Sequence, residues 1–256
     1  MNYPHAFNEL PPGAKQVLYY PELDSTSTAL RRLAEEGAPE GTVILTDSQS
    51  AGRGRRGRSW HSPPGKGLYF SVLLRPAHLE PHRAAAITLV AAISAARQLR
   101  KAAATAVTVK WPNDLLVGTK KMGGILTEGK TGGDKLLYLI LGLGLNINHR
   151  LADFPAELHS SATSLRLTEK RTFERTALFL SILEQLLHDC RLFFRKGFAP
   201  FQLHWRELNA TLGKTVELTQ SGKPLRGRAL DIDPEGALLL EDETGKRHRI
   251  ICGEIN

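Results

Sequence analysis

Gly52-Arg53-Gly54-Arg55-Arg56-Gly57-Arg58-Ser59-Trp60-His61-Ser62-Pro63-Pro64-Gly65-Lys66-Gly67 follows the apolar, strand-like segment Thr42 to Leu45 and precedes another, Leu68 to Leu74. Its spacing matches Gly-x-Gly-x-x-Gly, and Gly52-x-x-x-x-Gly57-Arg58-Ser59 comes within one residue of a phosphate-binding P-loop. Either motif would need a helix opening at its last glycine, whose N-terminal N–H groups hold the phosphate. Ser59 to Gly67, with two prolines and two glycines, does not start a helix there, and Arg58 stands where the P-loop has lysine. The segment therefore reads as an anion-wrapping loop between two strands. Four guanidinium groups supply the charge, and three glycines allow close backbone approach. A phosphate-backbone contact with nucleic acid and a plain solvated basic loop are the two alternatives.

Composition narrows the class. The chain has 256 residues, of which 41% are hydrophobic and 23% charged, as expected of a globular protein with a substantial core. Its net charge of +8 is concentrated in part at Arg53, Arg55, Arg56, Arg58 and Lys66, which suits an anionic ligand as well as nucleic acid. Cys190 and Cys252 fall in no metal-ligand or redox spacing and read as reduced thiols of a cytoplasmic protein. The sequence shows neither a secretory signal nor an apolar run long enough to span a bilayer, so no membrane partner is expected. The nine histidines have no paired spacing, which gives no support to a zinc site or a Ser/His/Asp triad.

The hydrophobic pattern predicts a strand at Val17 to Tyr20 and a helix from the cap cluster Asp24 to Thr28 as far as Gly37. A long helix should run from Pro81 to about Ala103. Strands follow at Val107 to Trp111, Leu115 to Val117, Met122 to Thr127 and Leu136 to Asn146, joined by tight turns that favour antiparallel pairing. Residues 150–168 form a loop long enough to be suspected as a lid. Helices are expected at Thr172 to Lys196 and Pro200 to Leu208, then four or five short strands with turns at Ser221-Gly222, Asp233 to Gly236 and Glu243 to Gly245. The fold class is α+β, a mixed and largely antiparallel sheet with helices, with domains at 1–210 and 211–256. Glycine at Gly123, Gly124, Gly142 and Gly144 in neighbouring strands implies that something else fills the space of their side chains. Lys110-Trp111-Pro112-Asn113-Asp114 reads as a site at a strand end or as a plain turn.

Asp24-Ser25-Thr26, Gln49 with Gly52 to Arg58 and Trp60, Ser62-Pro63 through Ser71, Lys110 to Asp114, Lys121-x-x-Gly124 and Gly142-x-Gly144-x-Asn146, taken in order, resemble the biotin protein ligases. The resemblance implies a class II aminoacyl-tRNA-synthetase-like catalytic domain and a small SH3-like C-terminal barrel. It implies formation of biotinyl-5′-AMP from biotin and ATP with Mg²⁺, then transfer to a lysine of a biotin carboxyl carrier protein. By the same resemblance Ser25, Thr26, Ser27, Gln49, Gly52, Arg53, Gly54, Arg55, Lys121, Gly123 and Gly124 contact biotin. Arg55, Arg56, Arg58, Trp60, Asn113, Asp114 and Asn146 face ATP, with Asp114 and Asn146 near its Mg²⁺, and Lys121, Arg55 and Asp114 are catalytic. Ser27 stands where the family often has asparagine. Sixteen residues precede the first expected strand, so the expectation is a ligase without the DNA-binding domain some members carry, with no DNA partner and with a homodimer plausible. The nearest rival within reach of the same fold is a lipoate ligase, which also makes an acyl-adenylate.

Overall fold

The structure, a computed structural model, describes residues 9–77, 79–220, 223–251, 253 and 255. Cys252 and the expected Ser221-Gly222 turn lie outside them. A seven-stranded sheet forms the larger part, with strands β1 (Gln16–Leu23), β2 (Thr42–Gln49), β3 (Gly67–Leu74), β4 (Val107–Lys110), β5 (Asp114–Val117), β6 (Lys120–Gly132) and β7 (Lys135–Asn146). Their spatial order is β1-β2-β3-β7-β6-β5-β4. Only β1 and β2 run parallel, because helix α1 (Thr26–Glu35) carries the chain across between them; the short turns elsewhere give antiparallel pairs. The α+β reading of the sequence is borne out.

The sheet buries both faces. On one, Val43, Leu45, Phe70, Val72, Leu141 and Leu143 pack with helices α2 (Ala86–Ala102) and α4 (Arg175–Lys196), where Phe70 meets Phe179 edge to face at 5.2 Å. On the other, Ile44, Leu73 and Ile140 meet Leu30 and Ala34 of α1. This second face, beyond the N-terminus of α1, carries the cavity described below. The expected long helix is divided, since Pro81–Ala85 is a 3-10 turn and the α-helix proper begins at Ala86. Residues 150–168 hold two 3-10 turns and all but the last residue of a short helix, α3 (Leu165–Glu169), capped by Ser164.

Past α5 (Gln202–Leu208), strands β8 (Thr215–Gln220), β9 (Lys223–Ile232), β10 (Leu238–Asp242) and β11 (Arg247–Ile250) make a four-stranded antiparallel sheet of the SH3-like kind. It is tied to the larger sheet: Trp111 N donates to Thr211 Oγ1 at 2.9 Å, and Lys110 Nζ to the Ile255 carbonyl at 2.9 Å. Trp111 and Lys110, read in the sequence as a site or a plain turn, serve at least this structural purpose.

Candidate functional site

A cavity of about 250 Å³ opens on the α1 face of the large sheet. Its floor is bare backbone. Side chains of a strand alternate between faces, so Gly124 and Leu126 of β6, with Gly142, Gly144 and Asn146 of β7, share the cavity face. Gly124 and Gly144 are directly paired across the two strands, and Leu126 pairs with Gly142. A methyl group on Gly144 would stand 2.5 Å from Trp60 Nε1, and one on Gly142 would stand 2.6 Å from Ser27 Oγ. The space predicted from the glycines therefore exists, and the Trp60 indole lies on part of it, its Nε1 buried with no hydrogen-bond acceptor among the described residues.

One end of the cavity is polar and neutral. Ser25 caps α1, and Ser25, Thr26 and Ser27 are all buried in that helix's first turn. Thr26 N donates to Gln49 Oε1 at 3.0 Å, while Gln49 Nε2 donates to Ser62 Oγ at 2.9 Å. Ser71 of β3 joins Thr26 Oγ1 at 2.8 Å and Ser27 Oγ at 3.0 Å. Hydroxyl and amide groups held this way offer both donors and acceptors in fixed directions.

The other end is charged. Lys121 Nζ stands 2.6 Å from Asp114 Oδ1, angled as an ion pair rather than a directed hydrogen bond, and 5.5 Å from the Trp60 ring centroid. Arg55 Nη1 donates to Asn113 Oδ1 at 3.1 Å, and Asn113 is fixed in turn by Nδ2 donating to the Ile125 carbonyl. Asn146 Nδ2 donates to the Thr163 carbonyl at 3.1 Å. Lys121 Nζ would lie 3.6 Å from a methyl group on Gly124, the partner of Gly144, so along β7 about 7 Å separates the neutral end at Gly142 from the cation.

The arginine loop forms the roof. Gly54 N bonds the Arg58 carbonyl at 2.7 Å, Trp60 N bonds the Gly52 carbonyl at 2.8 Å, and Arg56 takes a left-handed conformation at φ 54°. The loop is thus a folded hairpin with one 3-10 turn, and no helix starts from it. Residues 154–162, within the segment suspected as a lid, form one wall of the cavity. Lys121 N bonds the Ser161 carbonyl at 2.7 Å, Thr163 N bonds the Lys121 carbonyl at 2.9 Å, and Phe154, Leu158 and Ala162 face the cavity. Behind this wall His149 is fully buried against Phe154 and Tyr69. Burial, with His61, Lys66 and Arg175 adding to it against Asp153, depresses its pKa to about 3.

Of the residues singled out in the sequence, Ser25, Thr26, Ser27, Gln49, Arg53, Gly54, Arg55, Arg58, Trp60, Asn113, Asp114, Lys121, Gly124 and Asn146 are brought together around this cavity. Three are not. Gly123 projects to the opposite face, where a methyl group would meet Leu145 Cδ2 at 2.7 Å, so it belongs to the core side of β6. Gly52 is buried against the Trp60 carbonyl and Ser62, which fixes the hairpin from behind. Arg56 sits at the outer tip of the roof and is absent from the lining.

Residues 19–146 match the Biotin/lipoate A/B protein ligase family, and residues 211–256 match the Biotin protein ligase C terminal domain. The chain belongs to the biotin protein ligase family. It is 36% identical over 231 residues to the bifunctional ligase/repressor BirA of Bacillus subtilis, a span covering 90% of this chain and 71% of that protein. It is 30% identical to the biotin--[acetyl-CoA-carboxylase] ligase of Paracoccus denitrificans, covering 88% and 93%. The solved biotin protein ligase from Aquifex aeolicus in complex with biotin and ATP superposes with a TM-score of 0.81 at 31% identity, covering 94% of this chain and 98% of that one.

Several groups of the ligase cavity escaped sequence reasoning. Phe154 and Leu158 lie in an aperiodic stretch where an apolar residue carries no positional signal. Ser71 ends one of the motifs but has no role assigned there, and its position as a polar residue on a fully buried strand was the available signal for its place in the hydroxyl network.

Proposed function

We propose that this biotin protein ligase seats the bicyclic head of biotin at the Ser25, Thr26, Gln49 and Ser71 end, over the paired glycines, with its carboxylate at Lys121. The observation that carries the assignment is the order along the cavity: fixed neutral donors and acceptors, then bare sheet, then a cation with an arginine roof. A urea needs both donors and acceptors, a flat fused ring needs a floor without side chains, and a carboxylate needs the ammonium. Thr26, Gln49 and Ser71 hydrogen-bond one another here, so the ureido ring would exchange into bonds the site already makes. Trp60 must slide from Gly144 for the rings to lie flat, which leaves the indole covering them.

Biotin and ATP are the substrates of this C–N ligase reaction. The biotin carboxylate oxygen attacks the α-phosphorus, the new P–O bond forms as the bond to pyrophosphate breaks, and a mixed anhydride results. A carrier-domain lysine amine then attacks the biotinyl carbonyl and AMP leaves. Lys121 would bridge the carboxylate and the α-phosphate, Arg55 and Arg58 would face the phosphates, and Phe154 and Leu158 would flank the adenine. Such catalysis rests on positioning and fixed charge rather than on a proton-transferring side chain. The roof would also keep water from the anhydride.

Asp114 and Asn146 are the side-chain oxygen donors suited to Mg²⁺. Among the described residues no three His, Cys, Asp or Glu side chains cluster as a metal site, so a single carboxylate fits a cation carried in on the nucleotide phosphates. Among them no helix is long and apolar enough to cross a membrane. The need for ATP places the enzyme in the cytoplasm on this reading. Pyrophosphate release with Mg²⁺-ATP and either biotin or lipoate tests the acid, and labelled-biotin transfer to an isolated carrier domain tests the acceptor. Release with lipoate alone would overturn the assignment.

A further inference from the structure

Glu128 lies on the same face of β6 as Gly124 and Leu126, two residues beyond the cavity floor, and nothing in the reaction requires it. It nevertheless gathers three elements. Arg53 Nη2 meets Glu128 Oε1 at 2.5 Å while Nη1 meets Oε2 at 3.2 Å, a two-pronged contact from the roof loop to the sheet. Arg31 Nη2 of α1 meets the same Oε1 at 2.7 Å, and Arg53 Nη1 also reaches Thr28 Oγ1 at 3.5 Å. Arg53 therefore lies across the first turn of α1, directly over the serine and threonine end of the cavity, and a carboxylate on a rigid strand holds it there.

We propose that Glu128 is a positioning residue that latches the arginine loop closed. The guanidinium–carboxylate fork fixes distance and orientation together, as a single lysine could not. Arg31 of α1 holds the same carboxylate oxygen independently of the loop, so the latch is pre-set before the loop arrives. The side chains of Arg53 and Glu128 are 38% and 20% exposed, so the latch is screened enough to open and close. The loop's own arginines make its state directly readable, because trypsin cleaves after Arg55, Arg56 or Arg58 only when the hairpin opens.

The test uses the full chain with and without biotin and Mg²⁺-ATP, comparing wild type, Glu128→Gln, Arg53→Gln and the double variant by initial rate of tryptic nicking within residues 55–58. Each single variant should be nicked about fivefold faster than wild type, the size expected of a half-exposed bidentate pair. The double variant should be no faster than either single, since both remove one interaction. Glu128→Asp should restore part of the protection. The KM for biotin should rise in step with nicking while kcat changes less. Nicking at the wild-type rate in Glu128→Gln, additive effects in the double variant, or cleavage rising equally elsewhere in the chain would overturn the latch. What the latch retains rests on the biotin reading. A wild type that releases no pyrophosphate with biotin and ATP would remove that reading and leave the nicking comparison intact.

Discussion

Replacing Lys121 by alanine removes the one ammonium group that lines the cavity among the described residues, and the structure sets the size of the loss. Two unit charges 4 Å apart interact by about 4 kcal/mol at an effective dielectric of about 20 and about half that at twice the screening. The Lys121 side chain is 36% exposed, so the lower half of that range applies. Removal of a fixed donor at a developing charge costs about 10²-fold to 10³-fold. Together these give an expected fall in kcat/KM for biotin-dependent pyrophosphate release of about 30-fold to 300-fold. Folding should hardly change, because a half-exposed ion pair contributes about 1 kcal/mol or less. Lys121→Arg keeps the charge but spreads it over a larger group, and should fall between wild type and alanine. Activity of Lys121→Ala within about threefold of wild type, at an unchanged melting temperature, would refute the placement of the biotin carboxylate.

Gly144→Ala should fold normally, since its backbone is not left-handed, yet its methyl group would stand on the floor where the biotin rings lie and raise the Kd for biotin about tenfold or more; titration calorimetry with biotin checks this. Arg55→Ala breaks the contact to Asn113 and should depress adenylation while circular dichroism stays that of wild type. His149 is held neutral down to about pH 3 in the folded state, whereas the unfolded chain takes up a proton near pH 6.5. Between those values the unfolded state binds more protons, so stability rises with pH, and falls as pH drops below 6.5. Urea unfolding should show about 2 kcal/mol less stability at pH 5 than at pH 7.5 from this residue, and His149→Gln should flatten that difference.

Sequence punctuation located most of the elements. The turns at Gly118 and Gly133, both with positive φ, bound β5, β6 and β7 as expected, and the cap cluster at Asp24 to Thr28 opened α1. What failed was parity and reach. Gly123 and Gly124 are equivalent in sequence, and only the pairing of Gly124 with Gly144 and the register shift between Leu115 and Leu116 decide which one faces the cavity. The expected end of β6 at Thr127 falls short of Gly132 because Thr131 and Lys130 are polar and exposed, a pattern that periodicity reads as loop although the ladder continues past a bulge. Arg53 and Glu128 are 75 residues apart, and no local rule connects them. The wall at residues 154–162 was also unreadable, because its position is set by backbone bonds to Lys121 rather than by any side-chain pattern.

The cavity divides its chemistry between rigid and movable parts. Lys121 and Asp114 stand on β-strands, Asn113 is pinned by bonds to β6, and the hydroxyl network joins the first turn of a helix to two strands, so the groups that must not move are built into regular structure. The arginines are instead carried by a hairpin of nine residues, Gly52 to Trp60, whose apolar anchorage is one indole. A roof of four guanidinium groups cannot be held down by burial, since burying unpaired charge is costly. Polar partners hold it instead: Glu128 grips Arg53 at one edge, Asn113 accepts from Arg55, and on the proposed reading the nucleotide phosphates would add to these. On the proposed reading, closure would be coupled to occupancy by charge, and Trp60 would leave the glycine floor at the same step that fills it.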